Sequence, residues 1–173
     1  KAVNAVPAGN TVPTTILIAD GVYNVYVAPG DANDVNASDN YGHGLVIAKS
    51  NLTLKAQNKQ KVVIYGYTDA TSTGSNAVHH DHHVMRIRNS ENLTFDGLVI
   101  LPMFAKEMKS TSRTSVTEDA WNAHLKDFLG EELKNQIVGS YFFTARPMIV
   151  TNSYRSVQEN GITTNSGLTF KHC

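Results

Sequence analysis

A short phrase occurs three times along this chain, and it constrains the fold more than any other feature of the sequence. The copies begin at Ile47, Ile87 and Ile162, and each runs from a short β-branched strand through a polar corner to Leu-Thr and a large apolar residue. Repeated units of strand and corner are typical of solenoid-like proteins, in which each turn buries its apolar side chains against the next. We interpret Asn51 and Asn92, which also match the N-glycosylation pattern, as corner residues.

The remaining apolar runs also favour strands. Residues 15–27 form two strand-like runs broken by Asp20-Gly21, and further runs follow at residues 44–47, 52–56 and 62–65 with short polar corners between them. Strands that follow one another so closely, without helices between them, favour an all-β coil over alternating strands and helices.

Residues 103–139 break this pattern. Ser115 and Glu118 have the spacing of a capping box, and apolar residues then recur at helical intervals. The sequence predicts an amphipathic helix that Gly130 ends, followed by a short turn with Leu133 and Ile137 directed inward. The inward face of the first helix is predicted to contain Ala120, Trp121, His124, Leu125, Phe128 and Leu129.

The composition limits the function classes. The 173 residues include 15 basic and 15 acidic side chains, so no net charge attracts nucleic acid or an anionic membrane. No apolar run approaches the roughly 20 residues of a membrane-spanning helix, and the N-terminus lacks the apolar stretch of a signal peptide. Cys173 is the only cysteine, so the fold contains no intramolecular disulfide. We expect one domain over residues 1–173.

Four stretches carry a resemblance to a known family. They are Thr15-Ile-Leu-Ile-Ala-Asp-Gly-Val-Tyr23, Leu52-Thr-Leu-Lys-Ala56 with Val62-Val-Ile-Tyr-Gly66, and Leu93-Thr-Phe-Asp-Gly-Leu-Val-Ile100. Through them the chain resembles the pectate-lyase-like superfamily, and within it the polysaccharide lyases of the alginate lyase and chondroitinase B type. The fold class that this resemblance implies is all-β, a right-handed parallel β-helix with an inserted amphipathic helical segment around 103–139.

The resemblance implies a carbohydrate-active protein that acts on or binds an acidic polysaccharide by β-elimination chemistry. Such a reaction needs a base and a cation that neutralises the uronate carboxylate. The cationic candidates are Arg86, Arg88, Lys106 and Arg146, and a solvated surface charge is the competing interpretation of each. A protein of this kind is expected to be secreted, periplasmic or at the cell surface.

Tyrosines offer a second kind of candidate. Tyr23, Tyr26, Tyr65 and Tyr67 could stack on sugar rings in a groove, or they could form buried stacks inside the fold.

Two polar segments contain metal-ligand types. In the run of residues 79–83, His80 and His82 could converge on Zn²⁺ or Cu²⁺, or the run is a solvated loop. Asp31, Asp34 and Asn36 supply oxygen ligands that suit Ca²⁺, which the resemblance also favours, or they belong to a polar turn.

The rival hypothesis is a non-catalytic structural or adhesion module. The third copy of the phrase stops before its turn can close, so we expect either a fragment or an end covered by a further chain. Such a module would assemble through that end or through the helical segment, as a homo-oligomer or by continuation of the fold in another chain.

Overall fold

A computed structural model of the chain describes residues 2–7, 9–27, 44–68, 84–105, 118–138, 141–142, 149–151 and 165–173. Within them the elements are, in chain order, α1 (Ala2–Ala5), β1 (Thr14–Ile18), β2 (Gly21–Asn24), β3 (Leu45–Ile47), β4 (Leu52–Ala56), β5 (Val62–Thr68), β6 (Met85–Ile87), β7 (Leu93–Asp96), β8 (Leu98–Ala105), α2 (Glu118–Leu129), α3 (Glu131–Lys134), β9 (Tyr141–Phe142), β10 (Ile149–Thr151) and β11 (Thr169–Lys171).

These strands form three sheets. The first sheet has the order β1-β4-β7-β11, the second β10-β6-β3 and the third β2-β5-β8-β9. All pairings are parallel except that of β9, which runs antiparallel to β8. Because β1 and β2 join different sheets, Asp20-Gly21 turns the chain from one sheet to the next.

The copies of the repeated phrase lie beside one another in the first sheet. Leu52 pairs with Leu93, Leu54 with Phe95, and Phe95 in turn with Phe170. Leu52, Leu54, Leu93 and Phe95 are buried, whereas the threonines between them are half-buried on the opposite face. The two-residue alternation of a strand therefore sends the apolar half of each copy into the core.

The polar corners before these strands are also alike. Asn51 and Asn92 have positive φ angles of 53° and 55°, and Gly167 has 62° at the equivalent place in the third copy. The Asn92 side-chain amide donates to Asn51 Oδ1 at 3.0 Å, and the Asn51 amide donates to the Asn10 carbonyl at 2.8 Å. Asparagine and glycine are the residues that adopt this backbone region most readily. The interpretation of both asparagines as corner residues is confirmed.

The buried residues fall into two clusters. The main core contains Ile47, Met85 and Ile87 of the second sheet together with the inward side chains of the first. In the second cluster, helices α2 and α3 cover the third sheet: Leu125, Leu129, Leu133 and Ile137 pack with Val63, Tyr65, Val99, Leu101 and Phe104. Burial on this scale stabilises each large apolar side chain by roughly 1.5–3 kcal/mol.

The helical prediction is correct in part. A helix does occupy residues 118–129, Leu125 and Leu129 face inward, and so do Leu133 and Ile137 after it. Phe128, however, is 59% exposed, and Ala120 and His124 are exposed as well. The buried stripe follows residues four apart, and Phe128 lies on its flank. The Trp121 side chain lies outside the described residues.

The predicted fold class is wrong. The sequence predicted an all-β, right-handed parallel β-helix with an inserted amphipathic helical segment around 103–139. The described strands instead divide among three separate sheets, and helices supply part of the buried core, so the arrangement mixes β and α structure. The boundary of the insertion is also corrected, because β8 continues to Ala105 and pairs with β5 as far as Thr68.

Candidate functional site

The outer face of the first sheet carries two columns of side chains. One column contains Thr15, Thr53, Thr94 and Thr169, which are in register across the four strands. In the other column Leu17 is followed by Lys55, Asp96 and Lys171. Both lysines are exposed, so two cations flank one carboxylate on a surface that faces solvent.

The chain leaves the first sheet at corners that lie side by side. Gly97 donates its backbone N–H to the Lys171 carbonyl at 2.9 Å and accepts from Gln60 N–H at 2.7 Å. Asn58 donates to both carboxylate oxygens of Asp20. These bonds hold the corner residues 57–61 next to Asp96-Gly97 and to the end of β11, and thereby bring Lys59 and His172 to the Asp96 carboxylate.

We call Lys59, Asp96 and His172 the corner cluster. His172 Nδ1 lies 2.9 Å from Asp96 Oδ1, and Lys59 Nζ lies 3.3 Å from His172 Nε2. An ionised carboxylate only accepts hydrogen bonds and an ammonium only donates them. Nδ1–H of His172 therefore points toward Asp96, and Nε2 lies on the side of the ring that faces Lys59.

The groups around Asp96 favour the ionised form of its carboxyl group. The hydrogen bond from His172 holds the pKa of Asp96 below its ordinary value of 3.8, although partial burial opposes this. The charges of His172, Lys55 and Lys59 act in the same direction as the hydrogen bond. The Asp96 side chain is 19% exposed and that of His172 is 54% exposed, so the carboxylate is the inner member of the pair.

This pKa makes the folded state sensitive to acid in a defined direction. A carboxyl group with a lowered folded-state pKa stabilises the protein above its unfolded pKa, and that contribution is lost as the pH falls through the folded value. We therefore expect wild type to be more stable than Asp96→Asn at pH 7, and the difference to shrink below about pH 3.8. Urea denaturation of both proteins between pH 7 and pH 2.5 measures this difference.

Asp127→Asn, an exposed position on α2, is the matched control and should show no comparable change with pH. A difference between wild type and Asp96→Asn that persists unchanged to pH 2.5 would contradict the assignment of the Asp96–His172 pair.

Two of the predicted cationic residues are described, and they belong to another sheet. Arg86 is half-buried in β6 between the buried Met85 and Ile87, in register with Val46 and Val150. Arg88 follows β6, and its backbone N–H donates to the Ile47 carbonyl at 2.8 Å. Both residues precede β7, whereas the corner cluster lies at the end of that strand.

The four tyrosines occupy different surroundings. Tyr23 is exposed on β2 and donates to the Ala19 carbonyl, and Tyr26 packs against the main core. Tyr65 is 3% exposed, meets Phe104 edge to face at 5.8 Å and accepts a hydrogen bond from Val138 N–H. Tyr67 packs against the second cluster. Tyr65 therefore belongs to a buried aromatic contact inside the fold, whereas Tyr23 lies on the surface, where a ligand could reach it.

The other predicted site residues lie outside the described part of the chain: Lys106, Arg146, His80, His82, Asp31, Asp34 and Asn36. The calcium and zinc or copper hypotheses that rest on them remain predictions. Among the residues that the structure describes, no group of three or more His, Cys, Asp or Glu side chains is arranged to hold a metal ion.

Comparison with known proteins gives no relative. No protein-family model, no curated protein and no solved structure matches this chain. In the described residues, no helix has both the length and the apolar character needed to cross a membrane.

Sequence reasoning missed the charged column of the first sheet, although a signal for it was present. Aligning the three copies of the phrase at Leu54, Phe95 and Phe170 places Lys55, Asp96 and Lys171 at one position of the repeat. Parallel pairing of the copies would then predict alternating charges in one column of the sheet.

Proposed function

We propose that this chain is a carbohydrate-active protein that binds an acidic polysaccharide on the outer face of its first sheet. The observation that carries the proposal is the set of exposed cations at one end of that face, where Lys55 and Lys171 flank Asp96 and Lys59 contacts His172. The single carboxylate among them is already hydrogen-bonded to His172, which leaves the lysines to attract an external anion.

The chemistry of the surface supports a sugar polymer over other anions. The parallel first sheet has one threonine per strand beside the charged column, and hydroxyls can both donate to and accept from sugar hydroxyls. The net charge of the chain is zero, so attraction is confined to this local patch and does not extend to a long anionic duplex. The resemblance to polysaccharide lyases points to the same class of ligand.

The test is binding of alginate, pectate and chondroitin, with neutral dextran for comparison, by calorimetry at low and high salt. A lysine at an anionic surface contributes about 1 kcal/mol, so Lys55→Gln and Lys171→Gln should each weaken binding about 5-fold and together about 25-fold. Raising the salt concentration should reduce the affinity of wild type and should reduce that of the double variant less.

Lys126→Gln removes one exposed lysine from α2 and serves as the matched control, with an affinity expected to equal that of wild type. Equal binding of dextran and the acidic polymers, or equal losses in Lys126→Gln and Lys55→Gln, would count against the proposal.

A further inference from the structure

We propose that His172 makes the binding of acidic polysaccharide depend on pH, because protonation of its imidazole adds a cation to the corner cluster and releases Lys59 toward the bound polymer. This inference rests on the proposed function, since it concerns the polymer-binding face of the first sheet. It goes further by naming the group that regulates this face and the direction of the change. The affinity for the polymer rises as the pH falls.

The first argument is the hydrogen-bonding capacity of the imidazole. Nδ1 of His172 lies 2.9 Å from Asp96 Oδ1, and an N–H at this position suits the carboxylate in both protonation states of the ring. Nε2 is the nitrogen that changes, and Lys59 Nζ lies 3.3 Å from it. A neutral imidazole accepts at Nε2, whereas an imidazolium donates there, and an ammonium group only donates. The hydrogen bond from Lys59 to His172 therefore forms only when the ring is neutral.

The second argument is the charge balance of the corner cluster. With a neutral ring, Lys59 and Asp96 carry one charge of each sign, and the cluster has no net charge. Protonation of His172 places a second cation next to Lys59, and like charges at this separation repel. An anionic group of the polymer is then a better partner for the ammonium group than the ring, because the two carry opposite charges. A lower pH thus adds one cation and frees another.

The neighbouring groups keep this change in one direction. The hydrogen bond from His172 holds the pKa of Asp96 below 3.8, so the carboxylate stays ionised over the range of about pH 5–8 in which histidine side chains change charge. Lys55 of β4 and Lys171 of β11 flank Asp96, and lysine is cationic over the same range. The Cys173 thiol donates to two backbone carbonyls. The imidazole is therefore the member of this group whose charge responds to pH in that range.

The ring lies where both solvent protons and a polymer can reach it. The His172 side chain is 54% exposed, whereas that of Asp96 behind it is 19% exposed. His172 has a φ of 52°, in a backbone region that is uncommon outside glycine but in which histidine is enriched, so the chain turns at the end of β11. Gly97 donates its backbone N–H to the Lys171 carbonyl at 2.9 Å and holds this turn beside the end of β7. The imidazole is thus accessible and fixed in place.

The experiment is calorimetric titration with alginate and with dextran sulfate at about pH 8 and about pH 5. Sulfate groups stay ionised between these values, so a change that both polymers share comes from the protein. The affinity of wild type should rise about 5-fold at the lower pH, as expected for one added cation at an anionic surface. His172→Gln should lose this rise, and His172→Arg should bind at both pH values about as tightly as wild type does at the lower one.

Two further variants test the role of Lys59 and the assignment to one histidine. Lys59→Gln should lose more affinity at the lower pH than at the higher one, because its ammonium group is released to the polymer only when the ring is protonated. His124→Gln removes an exposed histidine from α2 and is the matched control, which should keep the wild-type rise. Equal losses from Lys59→Gln at both pH values, or loss of the rise in His124→Gln, would contradict the inference.

The outcomes separate this inference from the proposed function. Wild type that binds both polymers equally well at the two pH values overturns the inference and leaves the binding function intact, whereas absence of binding at both pH values overturns both. A His172→Gln protein that is folded by circular dichroism and keeps the wild-type rise also overturns the inference. If that variant does not fold, a His172→Arg protein that still gains affinity at the lower pH does so instead.

Discussion

Replacement of Phe95 by alanine is expected to lower the free energy of unfolding by about 3–5 kcal/mol. Phe95 is fully buried in β7, in register between Leu54 and Phe170. Its ring stacks on that of Phe170 with centroids 4.8 Å apart and planes 12° apart. Removing the ring deletes the apolar contact and leaves a cavity that strands hydrogen-bonded on both sides cannot close. Urea denaturation followed by circular dichroism measures the loss.

The matched control is Phe128→Ala, the same change on the exposed face of α2, which should alter stability by no more than about 0.5 kcal/mol. The comparison isolates burial from the intrinsic effect of losing a phenylalanine. Similar losses in both variants would contradict the placement of Phe95 at the centre of the core.

Alanine at Gly97 should cost about 2–5 kcal/mol, from a backbone term of about 1–2 kcal/mol and a packing term of about 1–3 kcal/mol. Gly97 has a φ of +74°, and an added Cβ would lie 3.2 Å from the Cα of Lys59 and 3.3 Å from the Cβ of Ala56. The first of these atoms is backbone, so the corner itself must shift. We expect the change to displace Lys59 from His172 and to weaken polymer binding as well as stability.

Gly9→Ala is the control for this prediction. Gly9 has a similar φ of +67°, but an added Cβ would have no atom within 4 Å, so only the backbone term should remain. Thermal unfolding of both variants gives the two terms separately. If Gly9→Ala proves as destabilising as Gly97→Ala, close packing at the Gly97 corner is not the cause.

Local pattern was sufficient for those parts of the fold that depend on neighbouring residues. The repeated phrase predicted that its apolar side chains are buried, and its polar residues predicted the corners at Asn51 and Asn92. The spacing of Leu125 and Leu129 predicted part of the inward side of α2, and the inward positions of Leu133 and Ile137 were also predicted, whereas Ala120, His124 and Phe128 are exposed. Each of these features has a period or a backbone preference that a few residues reveal.

The arrangement of the elements required information that local pattern does not contain. Leu54 pairs with Phe95 and Phe95 with Phe170, so the partners of each strand are far away in sequence. Periodicity does not tell which sheet a strand joins, and it did not tell which sheet α2 and α3 would cover. The corner cluster depends on the same distant pairing, since Lys59, Asp96 and His172 come from three separate corners.

The four in-register threonines place side chains at regular intervals across the outer face of the first sheet. Their spacing is set by backbone hydrogen bonds between neighbouring strands, about 4.8 Å apart, and not by the side chains themselves. A substitution at Thr53 or Thr94 removes one hydroxyl group and leaves the distance between neighbouring strands unchanged. The number of threonine hydroxyls that a polymer can contact across this face therefore equals the number of strands that it crosses. A polymer whose repeat length matches the strand spacing meets an equivalent hydroxyl at each repeat.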